Sequence, residues 1–173
     1  PEASAYLHEQ CGLGASSEDV LALIFERMRA FYANEVEARP GALAFVQGLH
    51  ARGVPMAVAS STPPDMLACC IERCGFAPYM KAVVSVDDLG TSKREPAVYD
   101  HARSFLGTDR AHTWGFEDAA YALDTLRAAG FRTGAIYDND ISGTREALLA
   151  RADFLIASWE DLTADEFLGK ACV

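Results

Sequence analysis

From residue 42 onward the chain repeats one pattern of apolar and polar positions. A stretch with apolar residues at helical spacing is closed by a glycine, and a short continuous apolar run follows. Segments 42–52, 65–74, 96–106 and 119–129 carry the helical spacing, and Gly53, Gly75, Gly107 and Gly130 close them. Glycine suits that place because the residue after a helix commonly takes a left-handed backbone conformation. The apolar runs are 54–59, 82–86, 113–116 and 133–137, with a fifth at 154–157 after a helical stretch near 144–150. Runs apolar on both faces and separated by helices predict a parallel sheet with helices on both sides.

The first 38 residues follow another rule. Two helical segments, 3–11 and 18 to about 34, come with no strand between them. In the second, Leu21, Ile24, Phe25, Met28, Phe31 and Tyr32 form a wide apolar stripe that fits helix packing, and Ser16 with Asp19 resembles a capping box. Arg39-Pro40-Gly41 then breaks the pattern. The expected organisation is a helical portion over 1–38 and an α/β domain over 39–173.

Composition narrows the function classes. The chain has 173 residues, half of them hydrophobic, with 25 acidic against 15 basic side chains and a net charge of −10. Lys and Arg are scattered, so neither nucleic acid nor an anionic membrane is an expected partner. No apolar run reaches the roughly 20 residues of a membrane-spanning helix, and the expectation is a soluble, cytoplasmic protein. Of five cysteines, Cys69, Cys70 and Cys74 crowd one helical stretch while Cys11 and Cys172 stand apart. That spacing does not suit zinc, and the three clustered thiols are expected to be reduced and to act as small core residues. His8, His50, His101 and His112 lie on separate elements and form no cluster.

Candidate chemistry follows three of the apolar runs. Ser60-Ser61-Thr62 comes after the first, Lys93 after the second, and Glu117-Asp118 after the third. In open parallel sheets ligands bind beyond the carboxyl ends of the strands, so all three clusters fall at one edge. Hydroxyls and helix-start N–H groups suit phosphoryl oxygens, and adjacent carboxylates suit a divalent cation. Each also has a plainer reading: helix capping before Pro63-Pro64, a lysine solvated in a polar loop, and a charged helix N-terminus.

Taken together the clusters resemble the haloacid dehalogenase-like (HAD) superfamily of phosphatases and phosphomutases, in its β-phosphoglucomutase-like branch. Ala57-Val58-Ala59-Ser60-Ser61 is similar to that family's second motif, Ser92-Lys93 to its third, and Trp114-Gly115-Phe116-Glu117-Asp118 to its fourth. The resemblance covers nearly the whole chain and implies a Rossmann-like α/β core with a partial helical cap at 1–38. It also implies an enzyme that hydrolyses a small phosphorylated metabolite through an aspartyl-phosphate. Ser60, Ser61, Thr62 and Lys93 would bind the phosphoryl group, with Ser60 and Lys93 catalytic, and Glu117 and Asp118 would hold Mg²⁺. Arg94, Ala119 and Ala122 depart from the branch pattern and favour a phosphatase over the alternative sugar phosphomutase.

The family's first motif, which supplies the nucleophilic aspartate, is absent. The expectation is that the nucleophile lies upstream of Pro1 and that the core lacks its first strand. Asp138-Asn139-Asp140 is a decoy that follows the wrong strand. A response-regulator receiver would need the carboxylates first and the lysine last, and a dinucleotide site would need a third glycine after Gly12-x-Gly14. The rival reading is a non-catalytic domain that keeps the fold without a nucleophile. Substrate identity and oligomeric state are not readable.

Overall fold

The computed structural model describes residues 2–140 and 142–171. It divides into two units, Pro1–Glu37 and Ala38–Val173. In the first, helices α1 (Glu2–Cys11) and α2 (Ser17–Asn34) pack on each other. Ser16 caps α2, its hydroxyl accepting the Asp19 N–H at 3.1 Å. The apolar stripe is only half-buried: Leu21, Ile24, Phe25, Met28 and Tyr32 are partly covered, whereas Phe31 is 42% exposed.

Among the described residues, the second unit alternates helices α3 (Ala42–Ala51), α4 (Pro64–Arg73), α5 (Val86–Leu89), α6 (Ala97–Ser104), α7 (Ala120–Ala128), α8 (Arg145–Leu149) and α9 (Ala164–Ala171) with five strands. These are β1 (Met56–Ser60), β2 (Met80–Ser85), β3 (Trp114–Glu117), β4 (Arg132–Ile136) and β5 (Phe154–Ile156). Every pairing is parallel, as continuous apolar runs require. The pairings fall into two sets, β1 with β2 and β3 with β4 and β5. Ser60 stands opposite Ser85 in one, and Glu117 opposite Ala135 in the other.

Side chains alternate between two helical layers. Trp114 and Phe116 of β3 join Phe45, Phe154, Trp159 and Phe167 in an aromatic cluster under α3 and α9. The opposite face of β3 carries Gly115, where an added Cβ would stand 2.5 Å from a Leu126 methyl, so α7 packs closely only because no side chain is there. Gly134 does the same beside the Phe116 ring, at 2.7 Å. On the far side of β4, Leu123, Ala135 and Leu148 form a fully enclosed group.

Two helices were not foreseen in the pattern. The four-residue α5 occupies the start of the expected polar loop because Ser85 and Asp88 cap each other: the Ser85 hydroxyl accepts the Asp87 N–H and Asp88 accepts the Ser85 N–H at 2.9 Å. Helix α9 is opened by Thr163 and Glu166 in the same reciprocal way, at 3.2 and 2.8 Å. The thiols are not core residues: Cys11 and Cys69 are exposed, Cys70 and Cys74 are half-buried, and none of the four is in a disulfide. Burial pushes the Cys70 thiol up to about 11, which keeps it an inert thiol. Cys172 lies outside the described residues. Among the described residues no helix is long and apolar enough to cross a membrane.

Candidate active site

The carboxyl ends of β1, β2 and β3 deliver the polar residues. Ser60 ends β1, and its hydroxyl accepts the Thr62 N–H at 3.1 Å, which folds residues 60–62 into a tight turn ahead of Pro63 and Pro64. Ser61 projects at the surface and Thr62 is half-buried. The turn is held from β2: the buried Ser85 hydroxyl donates to the Thr62 carbonyl at 2.8 Å. Ser85 went unnoticed in the pattern, although Ser85-x-x-Asp88 is the spacing of a capping box.

Lys93 is not the solvated loop lysine that its polar neighbours imply. Its side chain is 15% exposed, and Nζ donates to Glu117 Oε1 at 2.5 Å. The Tyr99 hydroxyl, on α6, donates to the same oxygen at 2.9 Å, and Lys93 Nζ lies 5.9 Å from the Tyr99 ring centre. Since β3 belongs to one sheet and α6 packs on β1 and β2 of the other, the Tyr99–Glu117 bond ties the two sheets together. Tyr99 was missed in the sequence because a tyrosine at helical spacing reads as core. It is core, 7% exposed, with its polar end turned to the carboxylate.

Electrostatics separate the two adjacent acids. Glu117 is enclosed, and burial raises its carboxyl above the usual glutamate range, while Lys93 and the Tyr99 hydroxyl pull it back and Asp118 adds to the rise. Burial, then the Glu117 charge, pushes the Tyr99 phenol far above its ordinary value, so it remains a hydrogen-bond donor. Asp118 is exposed. Glu117 therefore spends its charge on Lys93, and Asp118 is the carboxylate open to a ligand.

The Asp138-Asn139-Asp140 segment is engaged otherwise. Arg39 makes a bidentate pair with Asp138, at 2.8 and 2.7 Å, and holds its carboxyl below the usual aspartate range. Tyr137 donates to Asp140 at 3.0 Å. Next to the site, the Arg94 guanidinium stacks 4.6 Å from the Tyr121 ring centre, which fastens the Lys93 loop to α7. The four histidines lie apart, His112 pairing with Asp109 and His50 and His101 resting on Tyr79 and Phe105.

Comparison with known sequences gives the family. Residues 6–130 match the profile of the haloacid dehalogenase-like hydrolases. The chain belongs to that family. This HAD-like chain is 27% identical over 139 residues to YhcW of Bacillus subtilis (strain 168), named as a phosphatase, across 80% of its own length and 62% of that protein's. It is 28% identical over 128 residues to the phosphoglycolate phosphatase of Rhodobacter capsulatus, across 70% and 58% of the two lengths. The chain thus spans about three-fifths of the curated relatives it matches. Its fold is that of a HAD family hydrolase of Deinococcus radiodurans R1 solved with bound phosphate and sodium, with a TM-score of 0.76, 24% identity, and coverage of 98% of this chain and 75% of that one.

Among the described residues no three His, Cys, Asp or Glu side chains converge as a metal site. Asp118 supplies one exposed carboxylate, while Glu117 beside it in sequence is engaged by Lys93 and Tyr99. That fits Mg²⁺, which is commonly held by one or two carboxylates with waters and substrate phosphate oxygens completing the shell.

Proposed function

We propose that this HAD-like chain forms most of a Mg²⁺-dependent phosphatase acting on a small phosphorylated metabolite, with an aspartyl-phosphate intermediate formed on a nucleophile outside residues 1–173. The observation that supports it is the Lys93–Glu117–Tyr99 network beside the exposed Asp118, at the same strand ends that present Ser60. Phosphoryl transfer asks mainly for positioning and for neutralisation of charge on oxygen. Lys93 gives one N–H to Glu117 and keeps two donors for phosphoryl oxygens. Glu117 and Tyr99 hold that ammonium in place, and the Ser60 turn offers hydroxyl and backbone donors. Asp118 is assigned to the metal, which when bound would neutralise charge on the transferring phosphoryl oxygens. Phosphoglycolate, the substrate named for the Rhodobacter capsulatus relative, is a fitting first substrate to try.

The test uses the natural protein with its nucleophile segment present. Turnover of phosphoglycolate and of a set of sugar phosphates should require Mg²⁺ and cease with a chelator. Asp118→Asn should abolish it, and Lys93→Ala should lower it roughly 100- to 1000-fold, the usual cost of one preorganised electrostatic group. Undiminished turnover in Asp118→Asn would remove that residue from the metal site.

A further inference from the structure

Lys93 and Arg94 leave one turn in different directions. The Glu95 N–H donates to the Ser92 carbonyl at 3.1 Å, which makes them the two central residues, and the Ser92 hydroxyl accepts the Arg94 N–H at 3.3 Å. Lys93 runs inward to Glu117 at the end of β3. Arg94 is exposed and lays its guanidinium 4.6 Å from the ring centre of Tyr121, the second residue of α7. Asp118 lies between Glu117 and Tyr121 in the chain. Four residues span at most about 14 Å, so both cations border one small-molecule site. A phosphate ester with a second anionic group, met by a hydrogen bond of about 3 Å at each end, fits such a span.

Tyr121 stands beside the Lys93–Glu117–Tyr99 network: burial and then Glu117 push the Tyr99 phenol up, and Tyr121 pushes it further. Arg94 has no acid of its own. Glu95, its neighbour, accepts from the Thr91 hydroxyl at 3.3 Å, and among the described residues the contact of the Arg94 guanidinium is the Tyr121 ring rather than a carboxylate. Arg39, the other guanidinium whose charge meets Asp118, gives both terminal nitrogens to Asp138. Stacking occupies the face of a guanidinium and leaves its N–H groups, which lie in the plane, free to donate. They form a fork that matches a carboxylate or a phosphate with two parallel bonds. A ring that fixes this plane beforehand lowers the entropy cost of binding.

We propose that Arg94, held flat on Tyr121, binds a second anionic group of the substrate, so that the substrate class is phosphate monoesters which also carry a carboxylate or another phosphate. Lys93 takes the phosphoryl end and Arg94 the other. The phosphoryl end rests on the phosphatase reading above, whereas the Arg94 fork rests on its own contacts. Arg94 is a specificity residue and takes no part in bond breaking. An ester of the same size with a neutral far end meets Lys93 alike and gains nothing at Arg94.

The experiment titrates phosphoglycolate, and hydroxyethyl phosphate as its counterpart with a neutral end, into the natural full-length protein by calorimetry, with metal removed by a chelator so that nothing is hydrolysed. Phosphoglycolate should bind about 10-fold tighter, the low end for charge-assisted hydrogen bonds because Arg94 is exposed. Arg94→Gln should erase that margin. Arg94→Lys, which keeps the charge without the fork, should retain part of it, and Tyr121→Leu should narrow it about 2-fold. A sugar bisphosphate against its monophosphate asks the same of a phosphate, and a margin in either pair that Arg94→Gln removes upholds the site. The ratio is decisive because a loss of folding, or of the Lys93 position, weakens both members of a pair together. No margin in either pair, or a margin that survives in Arg94→Gln, would overturn the proposal. A margin without Mg²⁺-dependent hydrolysis, once metal is restored, upholds the Arg94 site and counts against the catalytic reading; hydrolysis without a margin does the reverse.

Discussion

The two sheets differ in what they are made of. The β3–β4–β5 set is packed on both faces, by aromatic rings under α3 and α9 and by Leu123, Ala135 and Leu148 beyond β4, and the three central residues of β4 are all buried. The β1–β2 set is lighter: β1 is half-buried along its whole length, alanine occupies alternate positions, and Val83 of β2 is 36% exposed. The larger set supplies most of the rigid core, while the smaller set carries the Ser60 turn and the Lys93 loop. The site sits where the firm part and the light part meet, and the Lys93–Glu117–Tyr99 network is the polar link across that seam.

The largest stability effect should come from the heavier set. Phe167→Ala, at a residue 3% exposed and in contact with four aromatic rings, should cost about 3–5 kcal/mol, against about 1 kcal/mol for Val58→Ala in β1. Chemical denaturation of both variants measures the contrast, and equal costs would break it.

Next comes the link itself. Lys93→Ala strips an enclosed carboxylate of its cation, which in a fully buried pair costs roughly 3–5 kcal/mol. Glu117 can take a proton instead, so about 2 kcal/mol is expected here. This replaces the view of Lys93 as a loop lysine without structural weight. An unchanged melting temperature in Lys93→Ala would restore that view.

pH sharpens the same point. Burial raises the Glu117 carboxyl in the folded state, so its contribution to stability is present below the unfolded glutamate range and is lost as pH rises through the folded value. The stability difference between Glu117→Gln and wild type should therefore move in favour of the variant from about pH 4 to about pH 7. A flat difference, read from denaturation at several pH values, would mean that Lys93 and Tyr99 offset burial completely.

The smallest effect is expected at the surface. Arg94→Ala removes the stacking on Tyr121, an exposed contact worth about 0.5–1 kcal/mol. A larger loss would show that the Lys93 loop depends on this clasp for its position.

Much of this was legible in the chain. Alternating helical spacing and continuous apolar runs predict the parallel α/β architecture because only a strand covered on both faces tolerates such runs, and the order of hydroxyl, lysine and carboxylates places the candidate chemistry at the strand ends. Strand limits moved by a residue or two where Pro55 and the turn Ala77–Tyr79 set the entry points. The small helices were written in capping spacings, Ser85-x-x-Asp88 and Thr163-x-x-Glu166, which compete poorly for notice with longer periodic stretches.

What only the tertiary structure decided is the division of labour between neighbours. Sequence adjacency makes Glu117 and Asp118 equivalent acids, but the pleat turns one inward to Lys93 and Tyr99 and the other outward, and burial then gives them different chemistry. The parting of the strands into two sets was likewise invisible, because apolar runs state that strands will pair without stating with which. That choice depends on long-range packing, here on Phe45, Phe116 and Phe167 on one face and Leu126 against Gly115 on the other, residues far apart in the chain that meet only once it is folded.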